Sequence, residues 1–142
     1  MFKWRFNVDS FFHHQLQFTR AFTKKINEQL AKVGLYHSQW LIVFYLKHFN
    51  TATLVEISNY YDVEKPTITR TVNRLEEIGL IKKIPSTDKR ERKIHLTEKG
   101  MQVYDDAKRI IDTFEENLVN EISDEDLMVT LHTIHKLKEK IK

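Results

Sequence analysis

The sequence predicts a mainly α-helical protein with a small β-hairpin, and three observations support this fold class. Only three Gly and two Pro occur among 142 residues, so few positions interrupt helices. Apolar residues recur at three- and four-residue spacing in several long stretches, which is the pattern of amphipathic helices. Two short segments, residues 81–85 and 92–96, flank a polar stretch and are typical of a hairpin.

The composition is that of a globular protein with one domain. The chain is long enough to bury a sizeable core, and 41% of its residues are hydrophobic and 30% charged. The sequence lacks a run of about 18 apolar residues and the apolar segment of a signal peptide, so we predict a cytoplasmic protein without membrane contact. The absence of Cys excludes disulfides, thiolate metal sites and thiol redox sensing.

The first long helix is expected to start at a cap formed by Asp9 or Ser10 and to end before Gly34. Its apolar stripe comprises Phe11, Phe18, Phe22, Ile26, Leu30 and Val33, widened by Phe12 and Leu16. This is more apolar surface than one neighbouring helix normally covers.

The next helix is expected to have Ser38 as its N-cap and to run to Phe49. It is apolar nearly all round, which indicates a central, buried element. Residues 50–53 form a break with capping residues. Leu54 to Tyr61 then supplies the first short helix of a helix-turn-helix, and residues 62–64 make its turn.

The stretch after this turn predicts a second short helix with two distinct faces. Its apolar face comprises Ile68, Val72, Leu75 and Ile78. At about 100° per residue, Pro66, Arg70, Asn73 and Glu77 point the other way. Gly79 follows where a helix C-terminus favours a left-handed residue.

The predicted hairpin is strongly basic. Residues 82–93 contain six basic and two acidic residues, a local charge of +4 that suits a track of phosphates. A donor-rich helix followed by a basic hairpin is typical of a winged helix, whose helix enters the major groove while the hairpin follows the backbone or the minor groove. The alternative is an ordinary solvated surface, because exposed helices commonly carry Arg, Asn and Thr.

Two further helices complete the chain. Thr97 is expected to cap a long helix, and Ser123 to cap the last one with acidic residues in its first turn. The long helix has a seam of Tyr104, Ala107, Ile111, Phe114, Leu118 and Ile122, and the last has Leu127, Leu131, Ile134, Leu137 and Ile141. Residues 1–61 carry a net charge of +4, residues 62–100 carry +3 and residues 101–142 carry −4. We therefore expect the acidic C-terminal third to lie away from a bound polyanion.

The long helices at both ends predict a homodimer. A central lobe of about 60 residues cannot cover all their apolar stripes, so we expect them to intertwine with those of a second chain. An aromatic arm, Phe2, Trp4 and Phe6, precedes the first helix, and we expect it to pack on the partner subunit. The alternatives are a monomeric bundle and a frayed N-terminal tail.

Two segments resemble the MarR family of bacterial transcriptional regulators. Thr67 to Lys83 resembles its recognition helix and first wing strand, and Thr87 to Gly100, ending in Leu-Thr-Glu-Lys-Gly, resembles its wing and the start of its dimer helix. The order of elements also matches along the whole chain. The resemblance implies a winged helix-turn-helix lobe plus a helical dimerisation stem. It further implies a homodimer that binds a palindromic operator in double-stranded DNA, usually to repress, and that often releases it when a small molecule binds.

On this basis the chain is expected to be a single domain, residues 1–142. Residues 1–33 and 101–142 would be dimerisation helices and residues 36–100 the DNA-binding lobe. The candidate DNA-binding residues are Lys65, Pro66, Thr67, Thr69, Arg70, Asn73, Arg74, Asp88, Lys89, Arg90 and Arg92. In the family's wing, the Arg at the position of Arg90 enters the minor groove and the Asp at the position of Asp88 steadies it. Arg can bind guanine O6 and N7 bidentately, and Asn can bind adenine N6 and N7.

Two residues depart from the family's pattern. Pro66 suits the first turn of a helix but removes one backbone N–H close to the DNA. Glu64 stands where a short hydroxyl or Asp cap is common, so it is a poor cap that faces a polyanion. Both leave open which groups contact phosphate.

An effector site is suggested only by position in the family. Tyr36, His37, Trp40 and Phe44 would lie between stem and lobe and suit a small aromatic or lipophilic effector. The alternative is that these aromatic residues are plain core. The pair His132 and His135 has zinc-ligand spacing, but no carboxylate pattern surrounds it, so we predict neither a metal nor another cofactor.

Two other classes of function are an enzyme and a protein-binding module. The sequence has no Gly-rich phosphate loop, nucleophile motif or paired-carboxylate site, so we predict that the protein is not an enzyme. A winged helix that serves only protein contacts is the main alternative. Such domains usually lose the basic wing tip, whereas Lys89, Arg90, Arg92 and Lys93 are all present here.

Overall fold

The computed structural model describes residues 8–88 and 92–142. In chain order its elements are α1 (Val8–Leu30), α2 (His37–Phe49), β1 (Ala52–Thr53), α3 (Leu54–Tyr61), α4 (Lys65–Glu77), β2 (Ile81–Lys83), β3 (Lys93–Leu96), α5 (Glu98–Val119) and α6 (Asp124–Ile141). The predicted mainly α-helical fold with a small hairpin is confirmed. The predicted aromatic arm lies outside the described residues. Among the helices of the described part, none combines the length and apolar character that crossing a bilayer requires.

The chain divides into two compact units, Met1–Ile111 and Asp112–Lys142. In the first unit, α2 provides more of the buried hydrophobic residues than any other element, with Ile42, Val43 and Leu46 almost fully buried. Ile26 and Leu30 from α1 and Ile57 from α3 are buried as well. The expectation of a central, buried second helix is therefore confirmed.

The second unit holds the end of α5 and the whole of α6. Ser123 is the N-cap of α6, and its hydroxyl oxygen accepts a hydrogen bond from the N–H of Asp126 at 3.1 Å. This cap is as predicted. Leu131 and Ile141 of the predicted stripe are exposed, and Leu127, Ile134 and Leu137 are half-buried.

Two helix starts differ from the prediction. The first helix is already formed at Val8, so Asp9 and Ser10 lie inside α1 and not at the expected N-cap position. The second helix has Tyr36, not Ser38, as its N-cap. Gln39 accepts a hydrogen bond from the Tyr36 N–H at 2.9 Å, and Asn27 of α1 accepts one from the His37 N–H at 2.7 Å. These side chains satisfy the free N–H groups of the first turn, which Ser38 cannot reach from within the helix.

The hairpin belongs to a three-stranded antiparallel sheet with the order β1-β3-β2. In the predicted hairpin, Ile81 pairs with Leu96 and Lys83 with Ile94. Strand β1, which no sequence pattern predicts, pairs with the other edge of β3, with Ala52 opposite Ile94. Ala52 is fully buried, so this short strand fixes the sheet to the lobe.

Candidate nucleic-acid interface

The recognition helix α4 is anchored by its inner face. Ile68, Val72 and Leu75 are 5%, 2% and 0% exposed, as their spacing predicts. Glu64 is the N-cap and makes no side-chain cap hydrogen bond, and Pro66 lies in the first turn. The predicted weakness of this cap is confirmed. Pro66 has no N–H, and the N–H groups of Thr67 and Ile68 both donate to the Glu64 carbonyl, at 3.1 and 3.2 Å. This end of α4 therefore offers a ligand few free backbone donors.

The turn that sets the angle between α3 and α4 is closed by hydrogen bonds. Asp62 ends α3 in the left-handed region with φ 53°. The Ser58 hydroxyl donates to the Val63 carbonyl at 2.6 Å, and the Val63 N–H donates to the Ser58 carbonyl at 3.1 Å. Sequence reasoning missed this role of Ser58, because a Ser in a short helix has no local pattern that indicates it.

The outer face of α4 presents the predicted polar residues. Lys65, Pro66, Arg70, Asn73 and Arg74 are exposed. The Arg70 guanidinium donates to the Thr67 hydroxyl oxygen at 3.3 Å, which holds it along the helix. Arg74 pairs with Glu77 at 3.1 Å, but both groups are more than half exposed, so the pair can open readily.

The Thr hydroxyls on α4 are less free than the sequence suggests. The Thr69 hydroxyl donates to the Lys65 carbonyl and the Thr71 hydroxyl to the Thr67 carbonyl, both at 3.0 Å. Their protons are thus used within the helix. In this arrangement Thr69 offers DNA a methyl group and an acceptor oxygen, so it suits a thymine methyl better than a phosphate.

An ion pair also links the wing to the recognition helix. Lys83 of β2 lies 3.6 Å from Glu76 of α4, and both side chains are partly exposed. At the base of the wing an open cleft of about 340 Å³ is lined by Lys83, Ile84, Pro85, Ser86 and Arg92. Ser86 and Asp88 close a turn, in which the Asp88 N–H donates to the Ser86 hydroxyl oxygen at 3.2 Å.

The structure brings helix and wing together but does not describe the wing tip. Asp88 and Arg92 are exposed. Lys89 and Arg90 lie outside the described residues, so the pairing of Asp88 with Arg90 stays a prediction. Lys82 and Lys93 are also exposed on the strands and add to the positive surface.

The predicted effector residues fall into two groups. Trp40 lies 5.8 Å from Phe44 and stacks on Tyr104 of α5 at 5.3 Å with an interplanar angle of 18°. The Lys47 ammonium lies over the Tyr104 ring, 5.5 Å from its centroid. Tyr104 was expected only as part of the apolar seam of α5. Its partnership with Trp40 depends on the packing of α2 against α5, and sequence spacing does not give it.

Tyr36 and His37 lie at the start of α2. Tyr36 is 68% exposed, whereas His37 is half-buried with its ring 6.1 Å from that of Phe22. Burial lowers the pKa of His37, because the charged imidazolium loses hydration. That these residues and Trp40 and Phe44 share one effector pocket stays a prediction.

Comparison with known proteins links this geometry to one family. The model of the MarR family matches residues 35–91, which span α2 to the wing. A relative from Bacillus subtilis (strain 168), described as an uncharacterized HTH-type transcriptional regulator, YwoH, is 41% identical over 114 residues. The match covers 80% of this chain and 83% of that protein.

Solved structures show the same architecture. A Staphylococcus aureus MarR in complex with salicylate and kanamycin is 28% identical, with a TM-score of 0.85 that covers 98% of this chain and 95% of that one. A mutant MarR from E. coli complexed with operator DNA is 17% identical, with a TM-score of 0.81 that covers 88% of this chain and 91% of that one. The second likeness concerns the fold alone.

Proposed function

Because the chain belongs to the MarR family of transcriptional regulators, we propose that it is a repressor that binds a palindromic operator as a homodimer. Membership in this family also makes it a regulator of transcription rather than an enzyme. The observation that carries the proposal is the helix α4, whose buried inner face leaves Arg70, Asn73 and Arg74 exposed beside a basic wing. The operator DNA in the E. coli MarR structure, which has the same fold, supports the same mode of binding.

Each candidate residue then has a role set by its chemistry. Arg70 and Asn73 read base edges in the major groove, since both can form bidentate contacts there. The start of α4, with Lys65 and Thr67, binds phosphate, and Arg74 lies on the flank. The wing residues Asp88, Lys89, Arg90 and Arg92 approach the minor groove, whose negative potential favours Arg.

The homodimer is supported by apolar side chains that each unit leaves exposed. In the first unit these include Phe12, Leu16 and Phe18 of α1, with Phe18 62% exposed. In the second unit Leu118, Met128, Val129, Leu131 and Ile141 are exposed. We assign dimerisation to residues 1–33 and 101–142 and DNA binding to residues 36–100, because a second copy is the simplest cover for such surfaces.

An effector is a further part of the proposal. The Staphylococcus aureus MarR structure contains salicylate, a small aromatic acid. In this chain the aromatic residues Trp40 and Phe44 would bind a small aromatic or lipophilic molecule of comparable kind. By linkage, a molecule that weakens operator binding must bind the free protein more tightly than the DNA-bound protein, by the same factor.

A salt titration with random duplex DNA tests the basic claim. A protein that binds DNA phosphates releases their counterions. The logarithm of the binding constant should therefore fall linearly with the logarithm of the salt concentration, with a slope of about 0.9 per phosphate contacted. A protein-binding winged helix would give no such slope. Footprinting on genomic fragments then identifies the operator.

The spacing of the operator tests the two-fold dimer. Two recognition helices of a dimer enter successive major grooves only when half-site centres lie about one helical turn, roughly 34–36 Å, apart. Inserting about five base pairs, half a turn, moves the half-sites to opposite faces of the duplex. We expect operator binding to drop to the level of random DNA, and undiminished binding would exclude a rigid dimer with two DNA-binding heads.

A further inference from the structure

The end of the recognition helix and the start of α5 form a tightly bonded junction. We call Ile78, Gly79 and Leu80 together with Thr97, Lys99 and Gly100 the α4–α5 junction. On the α4 side, Gly79 has φ +80°. Its N–H donates to the Glu76 carbonyl, and the Leu80 N–H donates to the Leu75 carbonyl. This is the Schellman arrangement, which closes the helix. The next three carbonyl groups along the chain are those of Ile78, Gly79 and Leu80.

Each of those three carbonyl groups accepts a hydrogen bond from the start of α5. The Ile78 carbonyl accepts from the Lys99 ammonium at 2.8 Å. The Gly79 carbonyl accepts from the Thr97 hydroxyl at 2.6 Å. The Leu80 carbonyl accepts from the Thr97 N–H at 3.0 Å. Thr97, which directly precedes α5, and Lys99 of α5 thus bind the first three carbonyl groups after α4.

Close contact completes the junction. Gly100 is buried, and a Cβ atom at this position would lie 2.1 Å from the Leu80 carbonyl oxygen. The Thr97 hydroxyl oxygen also accepts from the Gly100 N–H at 3.0 Å, so it caps α5 while it donates to Gly79. The Lys99 ammonium lies at the C-terminal end of α4, where the helix dipole favours a cation.

We propose that Thr97 and Lys99 are positioning residues that fix the direction of the recognition helix relative to α5. This inference rests on the proposed function, because its consequence concerns how the protein measures an operator. Neither residue needs to touch DNA for this role. Through these bonds α4 follows α5 as one body, and the spacing of the two recognition helices in a dimer is held to a narrow range.

The test compares a variant that removes the junction bonds with one that keeps them. Thr97→Val/Lys99→Met removes the hydroxyl and the ammonium while it preserves most of the side-chain volume. Thr97→Ser/Lys99→Arg keeps a hydroxyl and a cation. Circular dichroism checks folding, and if the first double variant is unfolded, Lys99→Met takes its place, because Lys99 is exposed.

The primary measurement is the preference for correct half-site spacing. Affinity is measured for the operator and for the same operator with about two extra base pairs between half-sites. Loss of one positive charge weakens binding to both duplexes equally, so this effect cancels in the ratio of the two affinities. We expect the affinity for the operator divided by the affinity for the lengthened operator to fall by about threefold or more in Thr97→Val/Lys99→Met. The reason is that a less preorganised helix tolerates both spacings. The ratio should stay at the wild-type value in Thr97→Ser/Lys99→Arg.

A second measurement does not depend on DNA. The chain has no Cys, so Asn73→Cys/Asp105→Cys creates the two sites for spin labels, one on α4 and one on α5, both exposed. Labelled protein is diluted with unlabelled protein so that the distance within one chain is measured. We expect the distance distribution to broaden in the Thr97→Val/Lys99→Met background and to stay narrow in the Thr97→Ser/Lys99→Arg background.

The outcomes separate the two proposals. An unchanged affinity ratio or an unchanged distance distribution in folded Thr97→Val/Lys99→Met would overturn the positioning role. An equal change in both double variants would also overturn it, since the hydrogen bonds would not be responsible. If wild-type protein binds no operator, the proposed function fails, and the spin-label distances alone decide about the junction.

Discussion

Arg70 is an exposed residue on the outer face of α4. Its exposed position on α4 follows from helical periodicity. Its contact with the Thr67 hydroxyl oxygen at 3.3 Å holds the guanidinium along the outer face of the helix. A preordered Arg loses less conformational entropy when it binds a base, which favours specific contact over loose attraction to phosphate.

Arg70→Ala should therefore weaken operator binding by about 1–3 kcal/mol and change the affinity for random DNA much less. Fluorescence anisotropy with both duplexes measures the two losses. The matched control is Arg109→Ala, which removes an exposed Arg of α5 that is paired with Asp106 at 2.6 Å. Equal losses on operator and random DNA would show that Arg70 binds phosphate instead of a base.

His37 makes a second prediction at this scale, which concerns pH. Burial lowers its pKa below the ordinary value of 6.5, so the folded protein binds fewer protons there than the unfolded chain. The contribution of His37 to the free energy of unfolding is fully present above pH 6.5. It is lost as the pH falls from 6.5 toward the lower pKa of the folded state.

We expect the unfolding free energy to fall less between about pH 7.5 and about pH 5.5 in His37→Gln than in the wild type. Urea unfolding at fixed protein concentration measures it. The same substitution at exposed His132 is the control. A pH profile that is as steep in His37→Gln as in the wild type would remove His37 as its cause.

At the scale of elements, the contact between α5 and the turn after α4 depends on the missing side chain of Gly100. A methyl group there would meet the Leu80 carbonyl oxygen at 2.1 Å, and a backbone atom cannot move aside cheaply. Gly100→Ala should cost stability near the upper end of about 1–3 kcal/mol.

Gly34→Ala is the matched control for this substitution. Gly34 has φ +74° and open space around its Cβ position, so only the left-handed backbone opposes a methyl group, at about 1 kcal/mol. Urea midpoints of both variants give the comparison. A smaller loss for Gly100→Ala than for Gly34→Ala would contradict the close contact.

The elements themselves were largely predictable, because their signals are local. The two faces of α4, the Gly79 end, the Thr97 start and the hairpin all follow from residues near one another in sequence. The N-cap of α2 was not predictable, since Asn27 reaches it from α1. Strand β1 was missed for a similar reason, because two residues carry no period and their partner lies far along the chain.

In the candidate site too, local features were predictable and contacts between elements were not. Exposure of Arg70, Asn73 and Arg74 follows from periodicity and is confirmed. The ion pair of Glu76 and the hydrogen bond of Lys99 each reach from one element to another, so only the folded arrangement gives them. Likewise, Trp40 was predicted from position, whereas its stacking partner Tyr104 was not.

At the scale of the whole molecule, the exposed apolar residues lead to a prediction about mass. Light scattering at micromolar protein should give about twice the chain mass of 17.1 kDa. Leu118 is 46% exposed in the single chain, so Leu118→Glu should leave the chain folded. In a dimer interface the same change buries an unpaired charge, and the mass should fall toward that of one chain.

Asn117→Glu is the matched control, because it adds the same charge at an exposed position about 100° further round α5. It should leave the mass at the dimer value. A wild-type mass near 17.1 kDa would exclude the homodimer, and a dimer that survives Leu118→Glu would place its interface elsewhere.

The pairing of β1 with β3 has a consequence for the order of events during synthesis. Ala52 and Thr53 bind residues of β3 some forty positions later, and the loop between them contains α3, α4 and the other wing strand. A two-stranded hairpin alone is marginally stable, and contacts across such a distance form late because loop closure costs entropy. A nascent chain that has not yet passed Leu96 therefore lacks the central strand of its sheet. Until the ribosome has released that segment, the emerging chain can hold helices but no wing fixed beside them.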